Sequence, residues 1–151
     1  MTAPSGPQPP VIAGPSVTRD RHGLEIISVE ECWRLLASSP VGRIGFTTAG
    51  QVQVLPVTYG LQDRSIVFRT GPGQKLGAAV MHQPVAFEID AWSATDRNGW
   101  SVLVMGVAEE VTDPARTELL EQSDIIPWAP AGHSDQWVRI MPEEVTGRRL
   151  R

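Results

Sequence analysis

The sequence predicts a mainly β fold with short helices, an α+β chain arranged as a small closed or split β-barrel. Three observations carry this expectation. Between residues 41 and 111, runs rich in Val, Ile, Phe, Thr and Trp follow one another at short intervals. The links between the first of them are brief and made of turn formers, as in Ala49-Gly50 and Gln62-Asp63-Arg64. Helical periodicity, by contrast, is confined to three short segments.

Residues 1–23 are expected to form a disordered tail ahead of one domain over 24–151. The stretch TAPSGPQPPVIAGPS holds five prolines and almost no apolar periodicity, so it cannot bury enough surface to offset the entropy of ordering. Ser28 opens the first helix as a capping box, its hydroxyl accepting from Glu31 N–H while the Glu31 carboxylate reaches back. Val29, Cys32, Trp33 and Leu36 then fall on one helical face, and Ser38-Ser39-Pro40 ends the element. Cys32, on that apolar face, reads as a core thiol.

Strands follow at 41–48, 51–60 and 65–70. Pro56 lies inside the second and cannot donate to a ladder, so it marks an edge, a bulge or a backbone approached by something else. A Gly-Pro-Gly turn at 71–73 leads into a short helix over 74–81. Two longer strands, 84–91 and 99–111, come next. Asp113-Pro114 starts the third helix, with Asp at the cap and Pro at the first helical position, and that helix fades near Ser123. A loop holding Trp128 precedes a last strand, 136–142.

Composition narrows the function. A formal net charge of -4 argues against a nucleic-acid backbone as the main partner. No apolar run approaches the ~20 residues that cross a bilayer, and the N-terminus lacks the basic head and apolar stretch of a secretory signal; a cytoplasmic protein is expected. The one cysteine excludes an internal disulfide, and no Cys/His cluster has zinc spacing, so no metal site is expected.

The most informative stretch is Phe68-Arg69-Thr70-Gly71-Pro72-Gly73-Gln74-Lys75-Leu76. A strand ends in Arg and Thr, a Gly-rich turn comes next, and the chain's single lysine enters a helix. Free backbone N–H groups, a hydroxyl and two cations suit a phosphate, although a turn with two solvated cations explains the pattern about as well. It is neither a Walker sequence nor a dinucleotide fingerprint. Trp100 and Ser101 open the longest strand and point to opposite faces. Trp128 and Trp137, with Arg139 on the face of Trp137, suit either the core or a subunit interface. His22, His82 and His133 read as surface histidines, and Glu88 and Asp90 share a strand face, which alternation in a half-exposed strand explains as well. No catalytic residue is assigned, so any redox chemistry would be carried by a bound cofactor.

Taken in order, the segments ECWRLL, GRIGF, PVTYG, IVFRTGPGQKL, VAFEID, GWSVLVMGVAEEV and WVRIMPEEVTGRRL resemble the pyridoxamine 5'-phosphate oxidase-like family, in particular its flavin-binding subgroup with nitroimidazole-resistance proteins and many actinobacterial proteins. The resemblance covers residues 26–150. It implies a six-stranded split barrel of the FMN-binding type that forms a homodimer with FMN in two clefts at the interface. It places the flavin ring against Leu55, Pro56, Val57 and Thr58. The phosphate falls to the segment from Phe68 to Leu76, with Arg69, Thr70, Gly73 and Lys75 the contacts. The ring's pyrimidine edge falls to Trp100, Ser101 and Val102, and the partner subunit contributes from the Trp128 to Arg139 region.

The function implied by this resemblance is that of an FMN-dependent oxidoreductase acting on a small molecule. Its alternatives are a deazaflavin-dependent reductase, whose coenzyme needs a basic groove from Arg43, Arg69 and Lys75, and a non-catalytic flavin- or haem-binding module, with His82 or His133 as axial ligand. Nitroimidazole-resistance proteins have a histidine where this chain has Arg69, and the C-terminus lacks the substrate-binding tail of true pyridoxamine phosphate oxidases. Neither of those activities carries over.

Overall fold

The computed structural model describes residues 17–71, 76–126 and 136–151. Among these residues, eight strands and three helices run in the order β1 (Glu25–Ile27), α1 (Val29–Ser38), β2 (Val41–Thr48), β3 (Gln51–Thr58), β4 (Gly60–Gln62), β5 (Ser65–Thr70), α2 (Leu76–Val80), β6 (Pro84–Ser93), β7 (Asn98–Glu110), α3 (Pro114–Glu121) and β8 (Gln136–Leu150). The strands form one antiparallel sheet, ordered β3-β2-β6-β7-β8-β5-β4, with β1 joined to β8. It is a curled half-barrel, mainly β with short helices, as the alternating runs predict.

The strand count is a correction: eight strands replace the expected six. Pro142 does not end the last strand. It sits opposite Gly106 at a register shift of the β7–β8 ladder, where a bulge removes the need for a donor. β8 therefore runs on to Leu150, and its extension gives Glu25–Ile27 an edge to pair with. The other addition, β4, forms because the chain leaves β3 after Thr58 and turns back on β5 through Asp63 and Arg64, both at positive φ. The β2–β3 hairpin closes as expected, with Ala49 and Gly50 at φ 49° and 74°. Two left-handed residues in a two-residue link match the twist of the strands they join.

α1 starts at Ser28, whose hydroxyl accepts from the Glu31 N–H at 3.2 Å. The return half of the capping box is absent, because the Glu31 carboxylate goes instead to Arg34 and Arg149. Cys32 and Leu36 are buried, whereas Val29, in the first turn, is exposed. Burial and the neighbouring Glu31 push the Cys32 thiol up, which keeps it protonated and unreactive. Ahead of β1, Asp20 and Gly23 close a turn, and Arg148 Nε donates to the Asp20 carboxylate at 2.9 Å. Burial raises the Asp20 pKa, but hydrogen bonds from the His22 and Leu24 amides and from Arg148 outweigh it and hold the carboxyl below its ordinary value.

The main core lies inside the curl. Ile44, Phe87, Ile89, Val102, Val104, Val138 and Ile140 are fully buried there. In β7 the alternation is plain: Val102, Val104 and Ala108 face in, while Leu103 and Met105 face out. β5 is buried on both faces. Its second face lies under a smaller cluster of Val67, Val111, Leu120 and Trp137, which α3 helps to build through Leu120.

Candidate functional site

The curl brings β3, at one end of the strand order, near β5, close to the other end. Between them opens a cleft of about 390 Å³. β3 supplies Gln53, Leu55, Pro56, Val57 and Thr58, β2 supplies Phe46 and Thr48, β5 supplies Arg69, and α2 supplies Leu76 and Ala79.

Each wall has a local cause. The two-residue β2–β3 link sets Phe46 opposite Gln53 and Ile44 opposite Leu55, so those side chains share a face. β3 is a terminal strand of the sheet. Pro56 is tolerated there because an edge strand has one row of amides outside any ladder. The end of β3 is tied down by the Thr58 hydroxyl, which donates to the Ile126 carbonyl. α2 lies close on the strands beside it; a Cβ added at Gly77 would sit 2.7 Å from Gln136 Oε1 and 3.2 Å from Thr70 Oγ1.

Arg69 is the one ionisable side chain among the described residues that line the cleft. Cross-strand pairing with Trp137 stacks its guanidinium carbon 5.2 Å from the indole centroid. Glu121 Oε2 stands 3.4 Å from Arg69 Nη2, and the other oxygen, Oε1, accepts from Trp137 Nε1 at 2.9 Å. An apolar strand backbone and a held cation in one cleft suit a ligand with a flat ring and an anionic group.

The structure gathers some of the sequence-predicted residues and separates others. Leu55, Pro56, Val57, Thr58, Arg69 and Leu76 come together around the cleft. Phe68 is fully buried in the core, and Thr70 is buried with its hydroxyl donating to the Gln136 carbonyl at 3.2 Å. Gly73, Lys75, Trp128 and His133 lie outside the described residues. Trp100, Ser101 and Val102 do not line this cleft within one chain: Val102 is core, and Ser101 lies between Asp90 and Arg148. Trp100 lines a second, smaller cleft with Arg149 and Arg151. His82 is exposed at a turn, and it is not among the cleft residues.

Phe46, Thr48, Gln53 and Ala79 were not expected at the site. Phe46 and Gln53 were within reach, since the hairpin register alone pairs them; Ala79 carries no local signal.

Arg43 is drawn away from any groove shared with Arg69. Its Nη1 lies 3.3 Å from Asp90 Oδ1 and 3.5 Å from Glu88 Oε2 on the outer face of the sheet. Burial and the neighbouring Asp90 push the Glu88 carboxyl above the ordinary carboxylate range, against the pull of Arg43. Such a group holds its proton more tightly folded than unfolded. Its contribution therefore favours folding at low pH and is lost as pH rises from about 4.5 through the raised value. Glu88→Gln is expected to flatten stability across that window, measured as denaturation midpoints at a series of pH values. An unchanged slope would show that Glu88 does not carry it.

Among the described residues, no group of three or more His, Cys, Asp and Glu side chains could hold a metal ion. No helix among them is long and apolar enough to cross a membrane.

Known proteins share this architecture. The family model described as pyridoxamine 5'-phosphate oxidase matches residues 28–149. An uncharacterised protein of Mycobacterium tuberculosis is 36% identical over 126 residues, which is 80% of this chain and 82% of that protein. The solved FAD-binding protein from Mycobacterium smegmatis is 38% identical with a TM-score of 0.72, over 83% of this chain and 99% of the other. An FAD-binding protein from Mesorhizobium loti is 27% identical with a TM-score of 0.66, over 85% and 99%.

Proposed function

Since this chain belongs to the pyridoxamine 5'-phosphate oxidase family, we propose that it is a flavin-binding protein that seats its cofactor in the β3–β5 cleft. The observation that carries the reading is the pairing of an apolar wall, Leu55 to Val57, with Arg69 in one cleft. The wall offers a face for a flat ring, and Arg69 offers charge-assisted hydrogen bonds to a phosphate. A bound flavin would supply hydride or single-electron chemistry, making the protein an oxidoreductase for a small molecule. The chain's own part is to hold the ring, shield one face from water and stabilise negative charge. No side chain lining the cleft is a general acid or base among the described residues.

The working form is a cytoplasmic homodimer. The outer face of the sheet supports this: Val52 is 78% and Val54 61% exposed, and Leu103 and Met105 are exposed as well. The ladder registers place Val54, Gly45, Ala86 and Met105 in one row across four strands. A continuous apolar row with small residues at its centre suits a second copy of the same face.

FMN is the cofactor proposed first. FAD is the second reading, and the two FAD-binding relatives favour it. An absorbance spectrum of the purified protein, repeated after adding FMN or FAD and desalting, tests both. A two-banded flavin spectrum that survives desalting is expected, with the extracted cofactor identified by mass. The particle mass by light scattering is expected near twice 16.4 kDa. A colourless protein that retains neither flavin would overturn the reading and turn attention to deazaflavin.

A further inference from the structure

Arg69 meets the cleft with an anion of the protein's own already beside it. Trp137 is buried, so its indole is a fixed plate, and the Arg69 guanidinium lies over it. Glu121, the last residue of α3, is anchored to that plate. One carboxylate oxygen accepts the indole N–H at 2.9 Å, which leaves the other 3.4 Å from Arg69 Nη2. The anchor is firm because α3 and Trp137 share the cluster with Val67, Val111 and Leu120. Swinging the carboxylate away would leave a buried indole donor unsatisfied.

A phosphate arriving at Arg69 therefore meets a partly neutralised cation. The effect falls on charged ligands only; the apolar wall at Leu55 to Val57 is on a different strand and is indifferent to it.

We propose that Glu121 is a specificity-determining residue, a built-in counter-anion that lowers the cleft's preference for phosphorylated over unphosphorylated flavin. The inference rests on the flavin reading and on Arg69 as the phosphate contact. It makes α3, which contributes no residue to the cleft lining, the element that sets how strongly the phosphate counts in recognition.

The test measures dissociation constants of FMN and riboflavin on the full chain freed of cofactor, for wild type and Glu121→Gln. Glutamine keeps an acceptor for the Trp137 N–H and removes the charge. FMN is expected to bind about fivefold more tightly to E121Q, the size of one partly exposed ion pair. Riboflavin is expected to change by less than about twofold. The gain should shrink at about 0.5 M salt, where charges are screened within a few ångströms. It should vanish when Arg69→Gln is already present.

An equal shift for both ligands, weaker FMN binding, or a gain that persists in the Arg69→Gln background would each overturn the proposal. Wild type that prefers FMN, paired with an E121Q that does not differ from it, overturns the role of Glu121 and leaves the flavin reading standing. Wild type that binds neither ligand removes both. If E121Q does not fold, Glu121→Asp withdraws the carboxylate by one methylene and is expected to act in the same direction with a smaller effect.

Discussion

Phe87→Ala is expected to lower the free energy of unfolding by about 3–5 kcal/mol, the range for deleting a buried phenyl ring. Phe87 is fully buried on β6, a strand with neighbours on both sides. Its ring meets Tyr59 edge-on, with centroids 4.8 Å apart at 72°. The Tyr59 hydroxyl in turn donates to the Leu36 carbonyl at 2.6 Å, so the ring sits between the sheet and α1. Burial pushes the Tyr59 phenol up to about 12, and it stays a donor throughout the useful pH range.

The ring has room because residue 42 is glycine. A Cβ there would lie 2.2 Å from Phe87 Cζ, with the two Cε atoms at 2.8 Å. Gly42→Ala alone is therefore expected to cost about 1–3 kcal/mol by overpacking. In the Phe87→Ala background the added methyl enters the cavity, and its cost should vanish or reverse. Urea titrations of the four proteins check this, read as midpoints at constant m. A cost for Gly42→Ala that is the same in both backgrounds would refute the contact as the cause.

Arg69→Gln carries the largest expected effect on binding. A charge-assisted hydrogen bond to a phosphate is worth about 1.5–3 kcal/mol, so FMN affinity should fall about ten- to hundredfold. Riboflavin, which lacks the phosphate, should lose less than about threefold. That contrast separates a phosphate contact from a packing role, because Arg69 also stacks on Trp137. Equal losses for both ligands would assign Arg69 to the architecture of the wall. Equilibrium dialysis of the two flavins against both proteins makes the comparison.

Much of the fold was legible in the residues because its signals are local. The Ser28 cap acts over three positions, and the Ala49-Gly50 link sets the β2–β3 register within one hairpin. Pro56 marked its strand as an edge, a bulge or an approached backbone, and β3 lies at the end of the sheet; its place beside a ligand was implied only by the family resemblance. The limits were equally physical. Pro142 reads as a stop in isolation, and only the bulge opposite Gly106 turns it into a tolerated position. The Glu31 carboxylate has a local partner in the capping box, yet a distant arginine on β8 takes it.

What the sequence by itself determined is the principal strands and helices and the chemistry available on each. That chemistry comprises an apolar second strand with a proline, and a cationic strand end leading into a glycine-rich turn. What only the tertiary structure decided is which of these meet. The curl of the sheet sets Leu55 and Arg69 on one cleft while leaving Trp100 to Val102 elsewhere in the chain. Packing of α3 over β5 and β8 joins Glu121, Trp137 and Arg69, which come from three separate elements of the chain. Local sequence encodes dihedral preference and facing, which act over a few residues. Meetings between distant strands depend on the summed twist and burial of the whole sheet, which no short stretch of residues records.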